Sequence, residues 1–137
     1  MKLPLLILLF VMSLLGSACD RLNFEQYRIA GGAGNADITE RVKSILQEVA
    51  DKTALKDSTS TSKAPDTIVF YMEPDVKNFR VDLGARVYGE DILVDLVGGF
   101  GPKLPTFEQA KQLLLPALSA EFGSKVSVPQ PRIPIPH

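Results

Sequence analysis

Residues 79–97 read FRVDLGARVYGEDILVDLV, and this stretch decides the fold. Its first half alternates between apolar and polar side chains, as a β-strand with one buried face does. The apolar positions are Phe79, Val81, Leu83, Ala85 and Val87. Gly89-Glu90 then suits a two-residue turn of type II′, because glycine at the first central position tolerates a positive φ. The stretch therefore predicts an antiparallel hairpin.

The predicted turn also fixes how the two strands pair. It places Tyr88 opposite Asp91, Val87 opposite Ile92, Ala85 opposite Val94 and Leu83 opposite Leu96. Every pair on the apolar face is then apolar on both strands. A one-residue slip would break this agreement, so the turn and the hydrophobic pattern support each other.

Amphipathic helices are predicted on both sides of the hairpin. The first carries one apolar face with a helical period, formed by Ile38, Val42, Ile45, Leu46 and Val49. Asp37 and Glu40 resemble a capping box at its start. In the second helix, which we expect Thr106 to cap, the apolar face consists of Phe107, Leu114, Leu118 and Phe122. Pro116 predicts a kink or a break inside this helix, and Gly123 predicts its end.

Two further segments have strand character. Residues 67–72 are rich in β-branched and aromatic side chains, and residues 125–128 suit a short final strand. The predicted fold class is α+β. We expect a two-layer sandwich in which two helices pack on one face of an antiparallel three- to four-stranded sheet.

The 137 residues suit one folded domain, which we place at residues 36–128. Residues 19–35 are interpreted as a tether, in which residues 22–29 either form a short strand or lie on the domain surface. Residues 56–66 lack large apolar side chains and predict a mobile loop. Residues 129–137 form a proline-rich segment, expected to lie along the surface or to fray. Its Pro131-x-x-Pro134 spacing also fits a polyproline II ligand.

The polar face of the predicted sheet is a candidate partner surface. Arginine, tyrosine and interspersed apolar residues are typical of protein interfaces, although a solvated face with cross-strand ion pairs has the same composition. The candidate residues are Arg80, Asp82, Arg86, Tyr88, Asp91, Leu93 and Asp95. Asp91 and Asp95 would lie about 13 Å apart along one strand, too far to act as a catalytic pair.

Composition argues against several function classes. Fifteen basic and sixteen acidic residues give a net charge of −1, which disfavours a nucleic-acid binder. A single cysteine, Cys19, and a single histidine, His137, leave few ligands for zinc and few catalytic triads. We therefore expect no enzyme, no metal site and no cofactor, with a hydrolase acting on wall or lipid as a minor alternative.

The N-terminus has the pattern of a secretory signal. Lys2 is followed by an apolar run over residues 3–15, which is shorter than the roughly 20 residues needed to cross a bilayer. Gly16, Ser17 and Ala18 then supply the small residues of a cleavage site, and Cys19 follows directly. Residues 1–18 are expected to be removed.

Residues 1–19 resemble the N-terminus of a bacterial lipoprotein precursor. The resemblance implies that the Cys19 thiol is acylated and that Cys19 becomes the new N-terminus. Members of this class usually carry leucine where this chain has Gly16, so ordinary cleavage after Ala18 and plain secretion stay open, as does an uncleaved anchor. In enterobacterial lipoproteins an aspartate at the position of Asp20 favours the inner membrane.

These patterns together predict a lipid-anchored envelope protein that faces the periplasm or the outside. Its small domain is expected to bind or position another envelope protein. The alternative is a carrier of a small ligand, or an inhibitor-type module, with the ligand held between helices and sheet.

Overall fold

The computed structural model describes residues 22–74, 80–100 and 104–135. Cys19 and the predicted signal peptide lie outside these residues, as do Phe79 and His137. The described elements are β1 (Leu22–Ile29), α1 (Ala36–Asp51), β2 (Lys56–Asp57), β3 (Thr67–Met72), β4 (Asp82–Tyr88), β5 (Asp91–Phe100), α2 (Pro105–Phe122) and β6 (Val126–Ser127). The α+β class is confirmed, and in the described part of the chain one antiparallel sheet of six strands replaces the expected three to four.

The central hairpin has the predicted register. Tyr88 pairs with Asp91, Val87 with Ile92, Ala85 with Val94 and Leu83 with Leu96. Gly89 has a φ of 60°, the positive value for which the turn requires glycine. Strand β3 coincides with the predicted segment and pairs with β4, although a bulge lies between Thr67 and Val69.

Of the two alternatives for residues 22–29, the strand is confirmed, but its assignment to a tether outside the folded domain is wrong. These residues form β1, which lies inside the sheet between β5 and β6 in the order β2-β3-β4-β5-β1-β6. Its pairing with β5 runs from Leu22 opposite Phe100 to Ile29 opposite Ile92. The folded unit therefore begins by Leu22, because β1 pairs with β5 along its whole length and with β6 at Arg28 and Ile29.

Residues 56–66, predicted to form a mobile loop, contain regular structure. Strand β2 pairs with the end of β3, and a short 3₁₀ turn covers Thr59–Thr61. The Asp57 carboxylate accepts hydrogen bonds from the Thr59 amide at 2.9 Å and from its hydroxyl at 2.6 Å. Local hydrogen bonds thus order residues 56–66, for which the hydrophobic pattern predicts no structure.

Both helices form, but their first residues differ from the prediction. Asn35 caps α1 by accepting the Ile38 amide at 3.1 Å, and Asp37 lies in the first turn instead. Helix α2 starts at Pro105, with Leu104 at the cap position and no side-chain cap from Thr106. Proline at the first turn needs no amide partner, which explains the earlier start. Helix α2 continues through Pro116, so the break predicted there does not occur, and it ends at Gly123 as expected.

The main core lies between the helices and one face of the sheet. Its fully buried members include Val42, Leu46, Leu83, Val94, Leu96, Leu114 and Leu118. Gly98 of β5 is required here, because a Cβ atom at this position would lie 2.8 Å from the Phe107 ring of α2. We call this side of the sheet the inner face and the opposite side, which carries Gln26, Arg86 and Asp95, the outer face.

Candidate binding site on the outer face of the sheet

The predicted partner surface maps to the outer face, but its residues are more enclosed than expected. Leu93 is completely buried and Asp95 is 7% exposed, which corrects the expectation that both face solvent. Tyr88 is 42% exposed. Its ring lies beneath the Arg28 guanidinium, 5.6 Å from centroid to Cζ.

The charged residues of this face pair with one another. Arg28 of β1 binds the Asp91 carboxylate across the strands. Asp91 also accepts the Gly31 amide at 2.8 Å. The Gly31 bond and then the Arg28 guanidinium hold the pKa of Asp91 below its ordinary value. Asp91 thereby joins the hairpin to the end of β1, which is a structural role.

A buried polar network crosses the middle of the outer face. Gln26 of β1 is 1% exposed and stands directly opposite Asp95 of β5. Gln26 Nε2 donates to Asp95 Oδ1 at 2.7 Å, and Arg86 Nε of β4 donates to Asp95 Oδ2 at 2.8 Å. Three neighbouring strands therefore each contribute one member, which we call the Gln26–Asp95–Arg86 network.

This network holds the main chain of the proline-rich segment. Gln26 Oε1 accepts the Ile133 amide at 2.8 Å, and Gln26 Nε2 donates to the Ile133 carbonyl at 2.9 Å. Arg86 Nη2 donates to the Pro134 carbonyl at 3.1 Å. The segment thus lies along the surface of the sheet, on the face predicted to meet a partner.

The segment adds two side-chain contacts of its own. Arg132 lies over the Phe24 ring, with 5.1 Å between Cζ and the ring centroid. Phe24 is a buried residue of the outer face. Ile135 is 38% exposed and forms one wall of a pocket.

The pocket has a volume of about 460 Å³ and opens on the outer face beside the proline-rich segment. Ile135 bounds one side, and the loop of residues 62–65 bounds another. Between them the lining comes from Phe70, Gly84 and Val97, so carbon atoms make up most of the surface. A concave apolar site of this size, with a few polar groups at its edge, is typical of ligand and side-chain pockets.

Gly84 keeps the pocket open. A Cβ atom at this position would lie 3.3 Å from the Phe70 ring and 3.3 Å from the Val69 carbonyl oxygen. These contacts are tight, so a larger residue at position 84 both fills the pocket and presses on its wall. In the sequence, Gly84 appears only as one polar-side position of the alternating strand.

The polar groups around the pocket differ in availability. Among the described residues, four charged ones line the pocket. Arg86 and Asp95 belong to the Gln26–Asp95–Arg86 network, and Lys63 and Asp82 lie outside it. Burial raises the pKa of Asp82 above its ordinary value, although Arg80 Nε, at 2.9 Å from Asp82 Oδ1, acts in the opposite direction. The site can therefore bind apolar groups next to fixed hydrogen-bonding partners.

Gln26, Phe70 and Ile135 are functional candidates that the sequence reasoning did not single out. Phe70 belongs to a predicted strand, but its role depends on lying next to Gly84 across the sheet. Gln26 gives no signal, since one glutamine in a polar segment is ordinary. The pocket is formed by residues that are distant in sequence.

Comparisons of the chain with protein-family models, with curated proteins and with solved structures found no match. Over residues 22–74, 80–100 and 104–135, no group of three or more histidine, cysteine, aspartate or glutamate side chains is placed to hold a metal ion. In the same part of the chain, no helix has both the length and the apolar character required to cross a bilayer.

Proposed function

We propose that this protein is a lipid-anchored envelope protein whose domain binds another envelope protein through the outer face of its sheet. In this proposal the pocket receives an apolar side chain of the partner, and the role is binding rather than catalysis. Cys19 carries the acyl chains, and Asp20 favours the inner membrane.

The pocket is the observation that carries this proposal. It lies on the face whose composition suits an interface, and it leaves about 460 Å³ beside Ile135. Protein interfaces concentrate their binding free energy where an anchor side chain fills such a pocket. The Gln26–Asp95–Arg86 network next to it supplies fixed polar groups that can define the orientation of a partner.

Site-specific photo-crosslinking in membranes tests the binding proposal. A photoreactive side chain at Val97, in the pocket, is compared with one at Leu115, an exposed position on α2. We expect a discrete cross-linked partner from position 97 only. We also expect Gly84→Val, which narrows the pocket, to reduce that product at least tenfold. The same products from both positions, or products unaffected by Gly84→Val, would contradict the proposal.

Lipid attachment needs its own test. Cells labelled with a fatty acid should yield labelled protein from the wild-type chain and none from Cys19→Ser. Mass spectrometry should find that residues 1–18 have been removed. A wild-type product without label, or one that retains residues 1–18, would remove the support for envelope anchoring.

The pocket volume also favours a second candidate, a carrier of a small apolar ligand, because pockets of this size hold such molecules. This pocket lies on the outer face and none of its described lining residues belongs to a helix, so the ligand would not lie between helices and sheet as expected from the sequence. An apolar fluorescent dye distinguishes the two candidates. Saturable binding that Gly84→Val abolishes, together with the absence of a cross-linked protein partner, would favour the carrier.

A further inference from the structure

We infer that the outer face is a binding site for an extended, proline-containing protein segment, that it recognises the main chain of that segment, and that residues 132–135 are its resident occupant. The inference builds on the proposed function and specifies the chemistry of the partner. A partner segment displaces the resident one and also fills the neighbouring pocket.

Gln26 binds the main chain of Ile133 in the way that a neighbouring strand would. Its side-chain amide makes two hydrogen bonds with Ile133, donating to the carbonyl and accepting from the amide. These are the bonds that an adjacent β-strand would offer to that residue. Because both involve only main-chain atoms of Ile133, they do not depend on which side chain the bound residue carries.

Asp95 and Arg86, which lie outside the bound segment, hold Gln26 in the orientation that binds it. A carboxylate only accepts hydrogen bonds, so Asp95 Oδ1 requires the NH₂ group of Gln26 to point toward it. Gln26 Oε1 is consequently directed at the Ile133 amide. Arg86 fixes Asp95 from the other side and contributes the bond to the Pro134 carbonyl.

The resident segment is bound by a small number of isolated contacts. The segment crosses the face of the sheet and is bound through the side chains of Gln26 and Arg86, so isolated hydrogen bonds replace a strand ladder. Pro134 has no amide hydrogen, so it leaves no donor unpaired there. Proline-containing segments are already extended before they bind, which lowers the entropy lost on binding. Arg132, Pro134 and Ile135 are exposed, so the resident segment buries little of its surface against the sheet. A partner segment can therefore replace it.

The pocket gives a competing segment its advantage. Ile135 lines this space and leaves it open. Consider a segment with a larger apolar side chain at the position of Ile135, two residues after the one that Gln26 binds. It would keep the main-chain bonds and also occupy the pocket. Such a segment should bind more tightly than a separate peptide of residues 132–135.

The principal experiment uses the full chain with its own segment released. Ile133→Pro removes the amide that Gln26 accepts and leaves every residue of the receiving face intact. A labelled peptide of residues 129–137 is titrated, and its fluorescence anisotropy is measured. We expect binding at least tenfold tighter than to the wild-type chain, where the attached segment competes at high effective concentration. Ile133→Val, which keeps the amide, should behave like wild type.

Two controls test recognition of the main chain. Adding Gln26→Leu to the Ile133→Pro chain should abolish peptide binding, whereas adding Gln112→Leu on the exposed side of α2 should not. A peptide methylated on the amide nitrogen of Ile133 should lose at least tenfold in affinity. Peptide binding that survives Gln26→Leu, or a folded Ile133→Pro chain that binds no peptide, would overturn the inference.

A second measurement works on the wild-type chain and avoids dependence on Ile133→Pro folding. The chain contains no tryptophan, so a peptide with tryptophan in place of Ile135 reports on its own environment. We expect a saturable blue shift of its emission that Gln26→Leu and Gly84→Val both remove. A peptide that gives no shift at saturating concentrations, or a shift that Gln26→Leu leaves unchanged, would overturn the inference.

The two proposals fail separately. Peptide binding at Gln26 without a protein cross-linked at position 97 would retain the peptide site and exclude the envelope partner. A partner cross-linked at position 97, combined with absent peptide binding, would retain the partner and exclude recognition through the main chain.

Discussion

The two faces of the sheet are held in different ways. On the inner face, Leu83, Leu96 and Leu114 belong to one continuous apolar cluster between strands and helices. On the outer face, Gln26, Arg86 and Asp95 form the centre, and what they hold is a main-chain segment rather than a helix. The inner face depends on buried area and shape, and the outer face depends on a few directed hydrogen bonds.

The difference indicates which contacts can exchange. Removing a helix from the inner face would expose much of the apolar core to water, at a cost comparable with unfolding the domain. Releasing residues 132–135 exposes polar groups that water can satisfy. A single sheet thus combines a permanent interface with a replaceable one.

The largest effect is expected from breaking the inner face. Leu83→Ala removes a fully buried side chain from the middle of β4 and leaves a cavity. We expect the free energy of unfolding to fall by about 2–5 kcal/mol. Urea denaturation measures the change, with Val128→Ala as the control because Val128 is exposed. A loss below about 1 kcal/mol would mean that the inner face is not the main source of stability.

A smaller effect is expected from breaking the outer face. Gln26→Leu removes both bonds to Ile133 and leaves Asp95 without one of its donors, which should cost about 1–3 kcal/mol. Amide hydrogen exchange should also show that Ile133 loses protection while Leu96 keeps it. The matched control is Gln112→Leu on exposed α2. If Ile133 keeps its protection, the role of Gln26 in holding the segment is wrong.

The smallest effect concerns Asp91, which joins the hairpin to the end of β1. Its folded-state pKa is lowered, so its stabilisation is present above the unfolded value of about 3.9 and is lost as pH falls through the lowered pKa. Asp91→Asn should therefore destabilise the protein at pH 7 and have little effect near pH 2. Urea midpoints at both pH values test this, with the exposed neighbour Glu90→Gln as the control. An equal loss at both pH values would exclude an ionic contribution.

The inner face was largely predictable from the sequence. In residues 79–97 the alternation and the turn specify the same register, and the apolar residues of both helices recur with a helical period. Such signals arise because one side of each element is buried and the other is wet. The helix starts were less predictable, since Asn35 and Asp37 are both suitable caps and only the structure selects Asn35.

The outer face was poorly predictable because both faces of its strands are partly buried, so the side-chain pattern does not separate them. In β1, Phe24 and Tyr27 are buried on opposite faces, and Gln26 is buried beside them, so the strand lacks a clean alternation. The contacts of Ile133 and Pro134 with the sheet use main-chain atoms, which every residue has. The sequence of side chains therefore does not predict such bonds. The pocket next to them is also not predictable, because its lining residues are brought together by strands and loops that are distant in sequence.

The position of β1 leaves only a short stretch of chain between the sheet and Cys19, the residue proposed to carry the lipid. Only residues 20 and 21 separate Cys19 from Leu22, where hydrogen bonding to β5 begins. Three residues span at most about 11 Å, whereas the 17-residue linker expected from the sequence would span about 60 Å. A lipid on Cys19 would thus hold the Leu22 end of the sheet against the headgroups and point the Gly89 turn outward. Val97 is two register steps from that end, so partners would have to approach along the bilayer surface.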